Sequence, residues 1–405
     1  MGRNRSQLVA TTSGVGLVRE HQTTIFERIR DITQEARRHD PVGPAIAVLC
    51  CTLALMLLGL LMQASHAATT LPAEVFRSEL REQLLFRCAA LVALLLAARV
   101  GPSGVRRFLP ALTVAMAVLL VLVFVPPLGF ERNGSNRWLD FGIVKFQPSE
   151  LARIVIVMWV ADRCVRLGPA LLDLKRGMLP VVAMGLFFFG LVGIETDLGG
   201  ATLLLLCVFA TVWIGGASST HVFVPLTVAG AGSFLLAFTA IPYIRRRIMM
   251  FLSVERNQQV TDAANAIASG DVFGLGFAQG PLRNHGVPYL ESDFVFAQIG
   301  EEFGLFGMLV VIGLFGGLVW NGLRLVLAIK DRFDALATFG LLMSTCLQGM
   351  LHIQIVAGLA PPKGMTLPFL SHGGTSLIVS SLGMGLALGA ARRWSAQREQ
   401  VVTGS

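Results

Sequence analysis

Long apolar runs broken by short polar stretches set the architecture of this chain. A helix that crosses a bilayer needs about 20 mostly apolar residues. Ten runs approach that length, at about 41–62, 84–100, 108–128, 150–167, 178–194, 199–216, 222–242, 300–323, 334–358 and 370–390. The second, fourth and fifth are short or interrupted. The pattern predicts an all-α polytopic membrane protein with ten transmembrane helices and one large loop, 243–299, between spans 7 and 8. A tail of residues 1–40 precedes the membrane domain (41–393), and a second tail (394–405) follows it. Composition agrees: 54% of residues are hydrophobic and 14% charged, against about 25% charged in soluble domains. Lipid, not water, must surround most of the surface.

Charge then orients the chain. Its net charge is +8, which on a soluble protein would raise nucleic-acid binding. Here most Lys and Arg fall on one side of the ten-span pattern: the N-terminal tail, the even-numbered loops and the C-terminal tail. The positive-inside rule places both termini in the cytoplasm and makes nucleic acid an unneeded partner. Arg245–Arg247 is the main cluster on the other side, in a long loop where the rule is weak. The run at 41–62 exceeds a signal-peptide core and reads as an uncleaved span. The tail before it is compatible with disorder or with a short amphipathic helix at 24–38. The six cysteines form no metal-ligand or CxxC spacing and read as small hydrophobes.

The outward loops 129–149, 195–198, 243–299 and 359–369 hold nearly all the unusual polar residues. The first contains Arg137, Trp138 and Lys145, which suit interfacial anchoring or ligand contact. Pro148, Ser149 and Glu150 suit a helix start. Glu195 and Asp197 either cap the next helix or bind a cation or sugar. Asp293, Glu301 and Glu302 enter an apolar run, and acids at a membrane boundary are functional suspects. A helix start explains Glu291 and Ser292 but not Glu301 and Glu302, more than two turns further in. The glycines after Gly270 follow no strand, so a dinucleotide fold is excluded.

The last loop reads Pro361-Pro362-Lys363-Gly364-Met365-Thr366-Leu367-Pro368-Phe369-Leu370-Ser371-His372-Gly373-Gly374. It predicts broken, re-entrant backbone, tolerated at membrane depth only when buried or lining a cavity. Its lone Lys363 either snorkels or binds an anion.

The segments 133–150, 195–202, 291–304 and 362–376 together resemble the signature segments of the FtsW/RodA (SEDS) family, in its order and on its loops, across residues 41–393. Lys363 and the residues after it resemble the cell-division branch, FtsW. Thr196 stands where the family usually has Pro, His372 where it has Tyr, Arg153 where Lys is common, and Ser292 where Thr is usual. The resemblance implies a peptidoglycan glycosyltransferase of the bacterial inner membrane, with its active site facing the periplasm. Lipid II, a disaccharide pentapeptide on undecaprenyl pyrophosphate, would be polymerised into β-1,4 glycan, with Asp293 matching the family's essential aspartate as general base. Arg137, Trp138, Lys145, Glu195, Asp197, Glu301, Lys363, Ser371 and His372 would bind substrate. Arg137, Lys363 or a divalent cation (Mg or Mn) could stabilise the leaving pyrophosphate, and no nucleotide motif is needed. The family also implies a class B penicillin-binding protein transpeptidase and other division proteins as partners. The rival readings are a lipid II flippase, a non-catalytic scaffold for a transpeptidase, and an elongation role of the RodA type.

Overall fold

The structure, a computed structural model, describes residues 40–403 except 71–72, 127, 133–134, 141, 143–144, 241–244, 247–248, 250, 252–257, 282–289 and 362. The expectations for the N-terminal tail lie outside the described residues. The chain is predominantly helical. Its helices are α1 (Val42–Thr70), α2 (Ala73–Val105), α3 (Leu109–Leu122), α4 (Pro148–Leu167), α5 (Leu179–Ile194), α6 (Leu198–Ile214) and α7 (Ser219–Ala240), followed by α8 (Gln258–Ser269), α9 (Leu290–Asp293), α10 (Val295–Ala328), α11 (Arg332–Val356) and α12 (Gly374–Thr403). A helix overlies each of the ten predicted ranges.

Six stretches among the described residues are long and apolar enough to cross a bilayer: Val42–Ala68, Val75–Leu122, Leu174–Ile194, Val295–Ala328, Arg332–Val356 and Gly374–Ser395. The predicted second and third spans fall largely within one such stretch, which is broken at Gly101, where φ 64° and ψ 171° are not helical, and again by the 3-10 turn at Arg106–Phe108. Helix α6 is apolar but shorter. Helix α4 carries Glu150, Arg153, Asp162, Arg163 and Arg166, too many charges for a simple span, yet its middle, from Ala152 to Ala161, is buried. It is a central helix wrapped by other helices, not a lipid-facing one. Large exposed apolar residues such as Leu57, Leu85, Val114, Phe187 and Phe306 instead mark the outer helices, as a hydrocarbon surround requires.

The long α12 lies along α2, and α10 lies along α1. Close packing there depends on small residues. A Cβ at Gly389 would fall 2.7 Å from Gly101 Cα and 2.8 Å from Ala98 O, so Gly385 and Gly389, four apart, let the two backbones touch.

Two expectations need correction. The chain is not purely α: a three-stranded antiparallel sheet, β1 (Gly129–Arg132), β2 (Ser135–Asp140) and β3 (Lys145–Phe146), fills the 129–149 loop. The Asn133-Gly134 dipeptide between the paired Arg132 and Ser135 is a strong hairpin signal, overlooked among such long apolar runs. The 243–299 segment is not plain loop either, since it contains α8, which buries Val260, Ala263 and Ala266.

Candidate functional site

Three element starts aim polar groups at one place. Helix α4 begins on Pro148, whose missing N–H costs nothing in the first turn, with Glu150 beside it. Helix α6 begins on Asp197, whose Oδ1 accepts from Gly200 N at 2.9 Å. Helix α10 begins just after Asp293, with Phe294 at its N-cap.

Asp197 is the hub. Lys363 Nζ donates to its Oδ1 at 2.7 Å, and Arg137 Nη1 lies 4.0 Å from the same oxygen. Strand β2 carries Arg137 to the α5–α6 turn, where its Nη2 donates to Thr196 O at 2.7 Å and its Nε to Glu195 O at 3.3 Å. Thr196 holds φ at 63°, a left-handed turn that a proline ring, fixed near φ −65°, could not make. The Thr196 departure therefore goes with a different local backbone.

The two acids of this turn are driven apart electrostatically. Burial, and then the neighbouring Asp197, raise the Glu195 pKa to about 9 against the opposing pull of Arg137. Burial also pushes Asp197 upward, but Lys363, Arg137 and the Gly200 amide outweigh it and hold that carboxyl below its ordinary range. At neutral pH one acid is protonated and its neighbour is ionised.

Lys363 lies across Gly199, where a Cβ would fall 2.6 Å from Lys363 Cδ. The next residue, Gly364, lies against Asp293: a Cβ there would fall 2.7 Å from Asp293 Oδ2. Ser371 then clamps the loop. Its Oγ donates to Ser292 O at 2.6 Å and accepts from Leu367 N at 2.7 Å. The broken loop 363–371 thus bridges the Asp197 hub and Asp293. Among the predicted site residues, Arg137, Glu195, Asp197, Asp293, Lys363 and Ser371 come together.

Four others do not join them. Lys145 sits over the Phe130 ring, its Nζ 4.0 Å from the centroid, and Trp138 pairs across the sheet with Phe130, on the strand face opposite Arg137. His372 turns to α2, where Gln83 Nε2 donates to its ring at 2.9 Å and Glu79 lies 3.5 Å away. Glu301 lies about two helical turns beyond Asp293 and packs against Gly280. Glu302 is held on α1 and within α10: Ser65 Oγ donates to it at 2.7 Å and Gln298 Nε2 at 3.1 Å.

A supporting layer was not foreseen. Gln348 Nε2 donates to Thr366 O at 3.0 Å, Arg153 Nη2 donates to Gln348 Oε1 at 2.5 Å, and His352 Nδ1 donates to Met365 O at 2.6 Å. Thr366 and Ser376 hydroxyls meet at 2.9 Å. These groups satisfy the irregular backbone of the loop, as burial demands. The signal was present: Gln348 and His352 sit four residues apart inside an apolar helix, where polar residues are costly. Among the described residues no group of three or more His, Cys, Asp or Glu gathers as a metal site.

Comparison with known proteins places these features. The family model described as a cell cycle protein, FtsW/RodA/SpoVE, matches residues 45–395. Stage V sporulation protein E of Bacillus subtilis is 29% identical over 86% of this chain and 97% of its own length. A probable peptidoglycan glycosyltransferase FtsW of Alkalilimnicola ehrlichii is 32% identical over 76% of this chain and 79% of its own. Among solved structures, a chain from a peptidoglycan synthase complex that coordinates polymerization and crosslinking superposes with TM-score 0.70 at 27% identity, covering 85% of this chain and 97% of that one. The rod shape determining protein RodA of Thermus thermophilus superposes with TM-score 0.62 at 26% identity, covering 85% and 95%.

Proposed function

The chain belongs to the FtsW/RodA/SpoVE family of cell cycle proteins, and on that premise we propose that it is a peptidoglycan glycosyltransferase with Asp293 as its general base. The substrate is lipid II, polymerised at the outer leaflet of the inner membrane during cell division. The ten predicted helices cross the membrane, both termini are cytoplasmic, and the Asp197–Asp293 region faces the periplasm. A class B penicillin-binding protein is the crosslinking partner, a reading supported by the similar chain in a synthase complex that couples polymerization to crosslinking.

One observation carries the catalytic assignment: the loop 363–371 meets both groups, with Gly364 lying against the Asp293 carboxylate and the preceding Lys363 reaching Asp197. The acceptor sugar's 4-hydroxyl is a weak nucleophile. Asp293 takes its proton as the oxygen attacks C1 of the donor sugar. The C1–O bond to undecaprenyl pyrophosphate breaks, and the leaving diphosphate carries away the electron pair. Lys363 and Arg137 face that developing charge. An apolar cleft of about 480 Å³ between α3 and α5, lined by Val118, Leu122, Met184, Phe187, Phe188 and Leu191 among others, stops one turn short of Glu195 and fits a stretch of isoprenoid chain. Purified Asp293→Asn protein given lipid II tests the assignment. Loss of a general base costs about 10²–10⁴ in rate, so glycan chains should vanish while lipid II binding persists. Polymerisation within a few-fold of the parent would make Asp293 structural.

A further inference from the structure

Helix α10 is broken at Gly304, which takes φ 64° and ψ −160°, and the break is filled by another part of the chain. In an unbroken helix Leu305 N would donate to Glu301 O, and Phe306 N to Glu302 O. Instead, Leu305 N donates to Asp271 O at 2.9 Å and Phe306 N to Val272 O at 3.2 Å. The freed carbonyls accept from the same inserted segment: Leu275 N donates to Glu301 O at 2.9 Å and Gly276 N to Glu302 O at 3.1 Å. Residues 271–276 are spliced into the ladder, two bonds on each side of the break. Within the segment Gly274 N donates to Gly270 O at 2.7 Å, and Ala278 N donates to the Glu302 carboxylate at 3.3 Å. Inserted groups are a recognised cause of helix kinks; here the insert is irregular backbone that trades two amides and two carbonyls with the helix it breaks.

The side chains of this segment point the other way. Val272, Phe273, Leu275 and Phe277 are 46%, 86%, 41% and 46% exposed. So many large apolar side chains exposed within six residues are unusual for a surface that meets water. They adjoin Leu305, Phe306 and Leu309 of α10, themselves 45%, 66% and 55% exposed on a helix long and apolar enough to span. The preceding α8 does the opposite, exposing Thr261, Asn265 and Ser269. Polar exposure therefore gives way to apolar exposure within a few residues, level with the first turns of the predicted span 300–323.

We propose that Val272, Phe273, Leu275 and Phe277 form a re-entrant lipid-contacting wedge, seated in the bilayer leaflet on the side of the candidate site and continuous with the lipid face of α10. Lipid is favoured over a partner protein because the exposed side chains extend a stripe that already faces hydrocarbon. The splice also pairs the Leu275 and Gly276 amides and the Asp271 and Val272 carbonyls with the helix, which lowers the cost of non-helical backbone in hydrocarbon. The wedge is independent of the glycosyltransferase reading, since an inactive protein would carry it equally.

The test places a nitroxide at Phe273→Cys or Phe277→Cys in full-length protein whose six native cysteines are replaced. Asn265→Cys on α8 serves as the water-facing reference. The labelled proteins are reconstituted in vesicles of phosphatidylethanolamine and phosphatidylglycerol, and relaxation by oxygen and by a water-soluble nickel chelate is compared. The oxygen-to-nickel accessibility ratio should be several-fold higher at 273 and 277 than at 265. A ratio equal to that at 265 would put the segment in water and overturn the proposal. Exclusion of both reagents would mean that protein covers it, and would overturn the proposal too. If one label prevents folding, judged by gel filtration, the other position and Val272→Cys read the same surface.

Discussion

Lys363 and Asp197, 166 residues apart in sequence, meet in a 2.7 Å ion pair with side chains 16% and 9% exposed. The pair ties the broken loop 363–371 to the start of α6 and excludes a simple snorkelling role for the lysine. Removing one partner of a buried pair strands the other charge, at a cost of roughly 3–5 kcal/mol. Lys363→Ala and Asp197→Asn should each lower both thermal stability and polymerisation, and the double variant should lose less than the two single losses combined. Thermal melts and lipid II polymerisation on all three variants give the coupling. Additive losses would show that the pair is not energetically linked.

The two acids of the α5–α6 turn should respond oppositely to amide substitution. Glu195, with its pKa near 9, is protonated in the folded protein at neutral pH but ionised when unfolded, so Glu195→Gln should raise the melting temperature at pH 7. Asp197 is ionised, so Asp197→Asn should lower it clearly.

Linkage fixes the pH dependence of the same acids. The folded pKa of Asp197 is depressed, so its contribution is fully present above the ordinary value of 3.8 and is lost as pH falls through its lowered value. The folded pKa of Glu195 is raised, so its effect runs the other way: stability declines as pH rises from 4.5 towards about 9. Melts of Glu195→Gln against parent at pH values within that interval should diverge in favour of the variant as pH rises.

Ser371 is a clamp between the loop and the residue before Asp293. Its hydroxyl is buried and makes both the Ser292 O and Leu367 N contacts. Ser371→Ala leaves a buried carbonyl and amide without that partner, at about 1–3 kcal/mol. A lower melting temperature is expected, with a fall in turnover that exceeds any change in lipid II affinity. Unchanged turnover would show that the clamp does not position Asp293.

Orientation can be read by labelling exposed positions with an impermeant thiol reagent in a cysteine-free background. Gly142 and Asn265 are exposed on the predicted outer side, and Lys175 and Lys330 on the predicted inner side. Cysteines at the first two should react in intact cells and those at the last two only after permeabilisation. The reverse result would move the Asp197–Asp293 region to the cytoplasm.

The ten helix ranges, the start of α4 at Pro148 and the membrane environment were legible in sequence because each follows from local composition. Apolar length, a missing amide and a charge deficit act within a few residues of themselves. The convergence of Arg137, Asp197, Asp293 and Lys363 was suggested by their places on four loops predicted to face one side, but their pairing was not. Which acid Lys363 meets depends on how α6 and the loop 363–371 approach, a long-range matter. The same holds for His372, which lies next to Ser371 in sequence yet turns to Gln83 on α2. Glu301 and Glu302 looked like neighbours of Asp293 because sequence proximity was the only measure available. The helix carries both about two turns beyond it, and Glu302 is held by Ser65 and Gln298; the break at Gly304 and the splice of residues 271–276 into α10 were hidden for the same long-range reason. A helix ladder can be opened only when another segment supplies the lost hydrogen bonds, and that segment comes from the far side of a loop in which no local pattern pointed to it.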